Sequence, residues 1–261
     1  MARKLIFVSL LVCTLFASLF LITDCTKVAD HPFATNLIKY DKVEKVAKCS
    51  FIVDYPVKGN EALLRSTREW ISEQFGGTYK GAYQQGDSLL LYYGKAAMDT
   101  LKAYSKDLQP NMQVEKSMSI RKNYETNKFV TYEADSYSYL GGAHGGSTLE
   151  GATFRKSDGR KFGWEMFTRE SRFTILQGLI KDGLKQYFKV KTDEELKANF
   201  LNPDNIYMIP LPQALPYFTK EGIKFVYAQY EIASYAAGMP SFTVSYDKIK
   251  SILTVPAADL L

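Results

Sequence analysis

Apolar and polar positions change their spacing several times along this chain, and each change marks an element. Leu5 through Ile22 run without a charge. From Thr26 to about Lys45 the pattern turns polar and aperiodic and is broken by Pro32, which predicts a tether over residues 25–45 with order beginning near Val46. Val46 to Tyr55 then reads as a strand that stops at Pro56, and Lys58, Gly59 and Asn60 form a turn that opens a helix, with Asn60 as its N-cap. In that helix Leu63, Leu64, Thr67, Trp70, Ile71 and Phe75 recur at spacings of three and four, so one face is core, and Gly76 with Gly77 ends it. A second helical pattern spans about Asp87 to Leu108, with Leu90, Tyr93, Ala97, Leu101 and Tyr104 on one side, and stops before Pro110.

Beyond Pro110 the period becomes two. Met112 to Asn123 and Lys128 to Tyr139 alternate apolar and polar residues around Glu125, Thr126 and Asn127, the signature of an antiparallel hairpin. Ser147 to Arg155 predicts another strand and Ser157, Asp158 and Gly159 a turn. Phe173, Leu176, Leu179, Ile180, Leu184 and Tyr187 form the apolar stripe of a helix, and a shorter helix follows over Asp193 to Phe200. Ile223 to Tyr227 and Phe242 to Tyr246 are alternating strands, closed by a short helix or turn from Asp247 to Leu253. Strands joined by tight turns, with helices inserted in blocks, predict the α+β class: an antiparallel sheet covered by helices on one face. Two closely packed subdomains are expected, over 46–110 and 111–261.

Composition adds that the chain is 46% hydrophobic and 14% aromatic, enough to build a substantial core over the roughly 215 residues after the tether. The net charge of +5 is mild and the lysines are interspersed with acids, so no nucleic-acid partner is expected. Arg3 and Lys4 before the apolar run give the layout of a secretory signal over residues 1–24. Cys25, preceded by Leu21, Ile22 and Thr23, resembles the lipidated cysteine of the bacterial lipobox and predicts a lipid anchor there. Asp24 stands where a small residue is usual, which leaves an uncleaved anchor or ordinary secretion as alternatives. Of the three cysteines, only Cys49 lies in the expected folded body, where it reads as a small buried apolar residue with no disulfide partner.

The segment Tyr137-Ser-Tyr-Leu-Gly-Gly-Ala-His144-Gly-Gly146 places four glycines around one histidine, either a binding loop or a tight strand connection. His31 and His144 are the only histidines, too few for a usual metal site, and no G-x-S-x-G nucleophile elbow occurs. Neither a metal nor a cofactor is expected, and the chemistry left open to an enzyme is a pair of carboxylates among the 28 acidic residues. The tyrosines at 132, 137, 139, 227, 230 and 235 form either an amphipathic contact surface or sheet-face packing.

Tyr230-Glu-Ile-Ala-Ser-Tyr235-Ala-Ala-Gly238, followed by the strand at Phe242, resembles the C-terminal signature of the RsiV-like extracytoplasmic domain family. The Gly141-Gly-Ala-His144 segment is similar to that family's upstream motif. The stretch from about Val46 to Leu108 looks like the companion domain that precedes it, which is also found in PdaC-type deacetylases. The resemblance implies recognition of lysozyme or a cell-wall-linked sensing role. Many members are lipoproteins of Bacteroidetes-type bacteria without an assigned activity. Four residues stand before the apolar segment, so no cytoplasmic sigma-binding domain is expected, and the deacetylase domain has no counterpart. The resemblance supplies no catalytic residues. The expectation is therefore an envelope-anchored, non-catalytic binding module for a lysozyme-like protein or a peptidoglycan fragment, with Gly141, Gly142, His144, Tyr235 and Gly238 shaping the binding surface. The alternatives are a structural or assembly lipoprotein contacting another envelope protein, and a hydrolase using paired carboxylates.

Overall fold

The computed structural model describes residues 32–109, 112–169 and 174–261. The expected signal segment, the Cys25 lipid site and His31 lie outside them.

Six strands form the main sheet in sequential order: β1 (Ala34–Glu44), β2 (Ala47–Lys58), β3 (Val114–Glu125), β4 (Phe129–Tyr139), β5 (Gly146–Arg155) and β6 (Lys161–Phe162). Between β2 and β3 the chain forms α1 (Glu61–Gln74) and α2 (Gly86–Ser105). Asn60 does cap α1: its side-chain oxygen accepts from the backbone N–H groups of Ala62 and Leu63, relieving two of the donors a helix start leaves unpaired. The expected α+β class holds, with one departure from an all-antiparallel sheet. β2 and β3 run parallel, from Ala47 opposite Val114 to Val53 opposite Ile120, because the intervening helices carry the chain back to the same end of the sheet before β3 starts.

β1 corrects the expected tether. Residues 34–44 pair antiparallel with β2 along the whole strand, from Ala34 opposite Lys58 to Glu44 opposite Ala47. Their sequence hides this because β1 is a sheet edge. Ile38 is its only fully buried side chain, with Tyr40 half-buried, so no clean alternation survives.

The expected subdomain boundary at 110/111 falls between hydrogen-bonded neighbours of one sheet, and the packing divides elsewhere. Along β4 successive side chains point to opposite faces. Val130, Tyr132 and Ala134 join a first core with α1, α2 and β1–β3, centred on Phe51, Trp70, Leu90, Met98 and Phe154. Phe129 faces the other way, into a second core. That core is built by a three-stranded antiparallel sheet, β7 (Tyr217–Phe218), β8 (Gly222–Val226) and β9 (Ser241–Ser245), with α3 (Ile175–Phe188) and α4 (Asp193–Lys197). Two short helices, α5 (Tyr246–Ile249) and α6 (Val255–Ala258), close the chain. The partition follows from the period of two: the two faces of β4 and β5 serve different cores.

The seam between the cores is polar and satisfied. Thr131 and Thr153 share a hydrogen bond across β4 and β5 at 2.8 Å, and Thr153 also accepts the backbone N–H of Phe218. Tyr217 lies against Gly151, where a Cβ would stand 2.2 Å from its ring, and its hydroxyl donates to Glu133 at 2.5 Å. Lys224 of β8 donates to the same carboxylate at 2.9 Å. Burial, then the hydrogen bond to Glu133 and its charge, pushes the Tyr217 hydroxyl well above the usual tyrosine range.

Candidate functional site

The β4–β5 connection and the long β8–β9 connection meet at the surface and bring together two of the five nominated residues. Gly141 and Gly142 both take positive φ, 98° and 99°, and turn the chain out of β4. Gly141 packs against Leu108, and the Gly142 carbonyl accepts the Tyr139 hydroxyl at 3.0 Å. These two glycines shape the turn and lie apart from the aromatic cluster it presents. Gly145 is required by close approach: a Cβ there would sit 2.4 Å from the ring of Tyr137.

His144, between these glycines, is exposed. Its imidazole lies on the ring of Tyr235, with ring centres 3.8 Å apart and planes 22° apart. The Tyr235 hydroxyl donates to the Gly145 carbonyl at 3.0 Å, and His144 Nδ1 lies 3.0 Å from the same oxygen. A carbonyl can only accept, so Nδ1 carries the hydrogen, and in the neutral ring Nε2 is left to accept from the Tyr230 hydroxyl at 3.2 Å. Both ring nitrogens are thus engaged. The assembly is a stacked, hydrogen-bonded aromatic surface in which Tyr230 is 53% exposed.

Tyr230 holds φ at 63°, a region that bulky side chains rarely adopt and that persists only where the surroundings impose it. Glu231 supplies that constraint: one carboxylate oxygen accepts the N–H of Ala228 at 2.6 Å and the other that of Gln213 at 2.7 Å. Gln229 accepts the N–H of Ser147 at 2.8 Å and pins the loop to the start of β5. Tyr227 anchors it from below, fully buried, donating to the Pro210 carbonyl at 2.7 Å. Burial, with the Glu231 charge added, pushes that hydroxyl well above the usual tyrosine range.

Gly238 ends the 3-10 turn Tyr235–Ala237 with φ at 73°, beside Tyr187 of α3, whose hydroxyl donates to the Ala237 carbonyl at 2.6 Å. It serves the turn that presents Tyr235 and is not part of the exposed surface around His144. Beyond the five nominated positions, Tyr230 and Glu231 stand in the Tyr230–Gly238 motif and Tyr230 also among the tyrosines of the expected contact surface, whereas Gln229 belongs to no motif. Tyr230 was recoverable as the other aromatic of the motif; its positive φ has no sequence signature.

Among the described residues no group of three or more His, Cys, Asp or Glu side chains is placed to hold a metal ion, and no helix is long and apolar enough to cross a membrane. The carboxylates at Glu133 and Asp135 lie two residues apart on one face of β4. Glu133 is already bonded to Tyr217 and Lys224, while burial and then the Glu133 charge hold the Asp135 carboxyl above its usual range.

Residues 165–247, which carry α3, β7–β9 and Tyr235 but not His144, match the family model described as "Protein of unknown function (DUF3298)". Two solved structures share the fold. A member of the DUF3298 family from Bacteroides fragilis superposes with a TM-score of 0.68 at 21% identity, covering 86% of this chain and 95% of that one. A DUF3298 family protein from Pseudomonas aeruginosa PAO1 gives 0.60 at 13% identity, covering 87% and 97%. No curated protein sequence matches the chain significantly. The class is thus the mixed α+β fold of DUF3298 proteins.

Proposed function

We propose that this chain is an exported, envelope-anchored binding module whose recognition surface centres on His144, Tyr230 and Tyr235, and that its partner is a lysozyme-like muramidase. The observation that carries the reading is the meeting of two loops: His144 bonds Tyr230, 86 residues away, and Gly145 bonds Tyr235, 90 residues away. An exposed tyrosine held at positive φ beside a stacked imidazole and phenol presents large, rigid, amphipathic contact area at low entropic cost, as protein-binding surfaces do. The similarity of these same two segments to the RsiV-like signature points to the same partner. Lipidation at Cys25 belongs to this reading and supplies the anchor.

Calorimetric titration of the full chain with C-type lysozyme, and separately with soluble peptidoglycan fragments, tests it. Lysozyme binding that a His144→Ala, Tyr235→Ala variant loses while remaining folded supports the proposal. Heat with the fragments alone reassigns the surface to glycan. Silence with both removes the binding reading and favours an assembly role, for which the exposed Tyr207 (82%) and Met208 (67%) already offer apolar contact area and which chemical crosslinking in cells would reveal.

A further inference from the structure

A cleft lies in the first core's flank, where α1 meets the turn between β5 and β6. It encloses about 350 Å³ and is lined by Glu69, Trp70 and Glu73 of α1, Phe154 of β5, and Arg160 and Lys161 beyond the turn. Gly159 fixes its width. With φ at 71°, it brings the turn so close to α1 that a Cβ would stand 2.4 Å from the Ala62 carbonyl oxygen. Asp158 also lines the cleft, with its carboxylate paired to Arg155, whose guanidinium Nε donates to it at 2.9 Å.

Two features of the lining lack protein partners. Trp70 is 5% exposed, packed at steep angles against the rings of Tyr132 and Phe154, yet its indole N–H donates to no acceptor among the described residues and is not sealed from solvent. An indole N–H at such depth usually has an acceptor. Four charged groups also face the cleft without a close ion pair, Glu69, Glu73 and Lys161 exposed and Arg160 half-buried. Glu69 and Glu73, one turn apart, flank Trp70 on one wall, with Arg160 and Lys161 on the other, and none of the four makes an ion pair among the described residues. Arg160 is instead positioned by its guanidinium lying 4.8 Å over the ring of Phe162. In the cavity beside β1, by contrast, the opposite charges pair with each other, Lys102 with Glu44 at 2.6 Å.

We propose that this cleft binds a small zwitterionic ligand of dipeptide size. Its carboxylate meets Arg160 and Lys161, its ammonium meets Glu69 and Glu73, and a peptide carbonyl takes the Trp70 indole N–H. Opposite charges too far apart to pair across a cleft are bridged by a ligand that carries both, and charged hydrogen bonds of this kind are roughly twice as strong as neutral ones. A purely anionic or cationic ligand leaves one wall unanswered.

The test follows the indole N–H resonance of Trp70 in the full chain during titration with alanyl-alanine, its N-acetyl form and its C-terminal amide. The chain has two tryptophans, Trp70 and Trp164, so a single Trp164→Phe spectrum assigns the signals. The expected result is a saturable shift of the Trp70 resonance with the free dipeptide, weakened at least about tenfold by blocking either end and by either Glu69→Gln, Glu73→Gln or Arg160→Gln, Lys161→Gln. No movement of the resonance at millimolar dipeptide overturns the proposal. So does an equal response to a probe blocked at both ends, or a response that the charge variants leave intact. The His144→Ala, Tyr235→Ala variant is expected to respond as the native chain does, which separates failure here from failure of the recognition surface.

Discussion

The imidazole of His144 stacks on the phenol ring of Tyr235 at 3.8 Å, and both side chains reach the same acceptor, the carbonyl of Gly145. The stack and the shared acceptor contribute separately. Tyr235→Phe keeps the ring and deletes the hydroxyl, and is expected to cost about 0.5–1.5 kcal/mol in urea unfolding. Tyr235→Ala removes the stack as well, adding about 0.5–1.5 kcal/mol. Equal losses for the two variants would mean that the stack contributes nothing.

Gly151→Ala tests the seam between the two cores. The new Cβ would meet the ring of Tyr217, which is fully buried and tied by its hydroxyl to Glu133, so the ring has no room to yield. Overpacking of this kind costs about 1–3 kcal/mol, and a thermal midpoint unchanged from the native chain would show that the seam is soft.

Tyr132 presents the opposite case. Its hydroxyl is the one buried side-chain polar atom without a partner among the described residues, in a ring packed between Phe33 and Trp70. Desolvation of an unpaired hydroxyl opposes folding, so Tyr132→Phe is expected to raise stability by about 1 kcal/mol, read as a higher denaturation midpoint. A lower midpoint would reveal a bridging water.

Glu125 supplies a pH dependence. Burial by itself raises its carboxyl, but Lys122 at 2.5 Å and Lys156 at 2.6 Å reverse the shift and hold it below the usual glutamate range. A carboxyl whose folded value is depressed adds stability above its unfolded value, and that contribution disappears as pH falls through the folded value. Glu125→Gln is therefore expected to destabilise at neutral pH and to match the native chain once pH drops below the carboxylate range. A gap that persists in acid would assign the loss to packing.

Cys49 is fully buried in β2, and burial pushes its thiol up to about 12. It is expected to resist alkylation in the native state and to react only on unfolding, as mass spectrometry of the Cys49 peptide would show. Modification under native conditions would mean that β2 opens locally.

Elements whose periodicity reports burial were legible in the sequence. The stripe through Leu63, Trp70 and Ile71 and the alternation along β9 are each imposed by one apolar face against one core, and the Asn60 cap is a local interaction needing nothing beyond its own turn. β1 was not legible, because an edge strand with one fully buried residue carries almost no pattern. The two motifs that stand together at the surface could be marked from the sequence, yet Gly141, Gly142 and Gly238 build turns, while Tyr230, outside the five nominated positions, is an exposed member of the cluster.

By itself the sequence determined the α+β class, the approximate positions of α1–α4 and of β2–β5, β8 and β9, and the two loops that carry His144 and Tyr235. These follow from interactions between near neighbours in the chain and from which face must be apolar. Only the tertiary structure decided that β2 and β3 run parallel, that the two faces of β4 serve different cores, that His144 rests on Tyr235, and that Trp70 lines a cleft with Glu69 and Glu73 on one wall and Arg160 and Lys161 on the other. Each of these joins residues tens of positions apart, and nothing in the local period of a chain records which distant segment will come to lie against it.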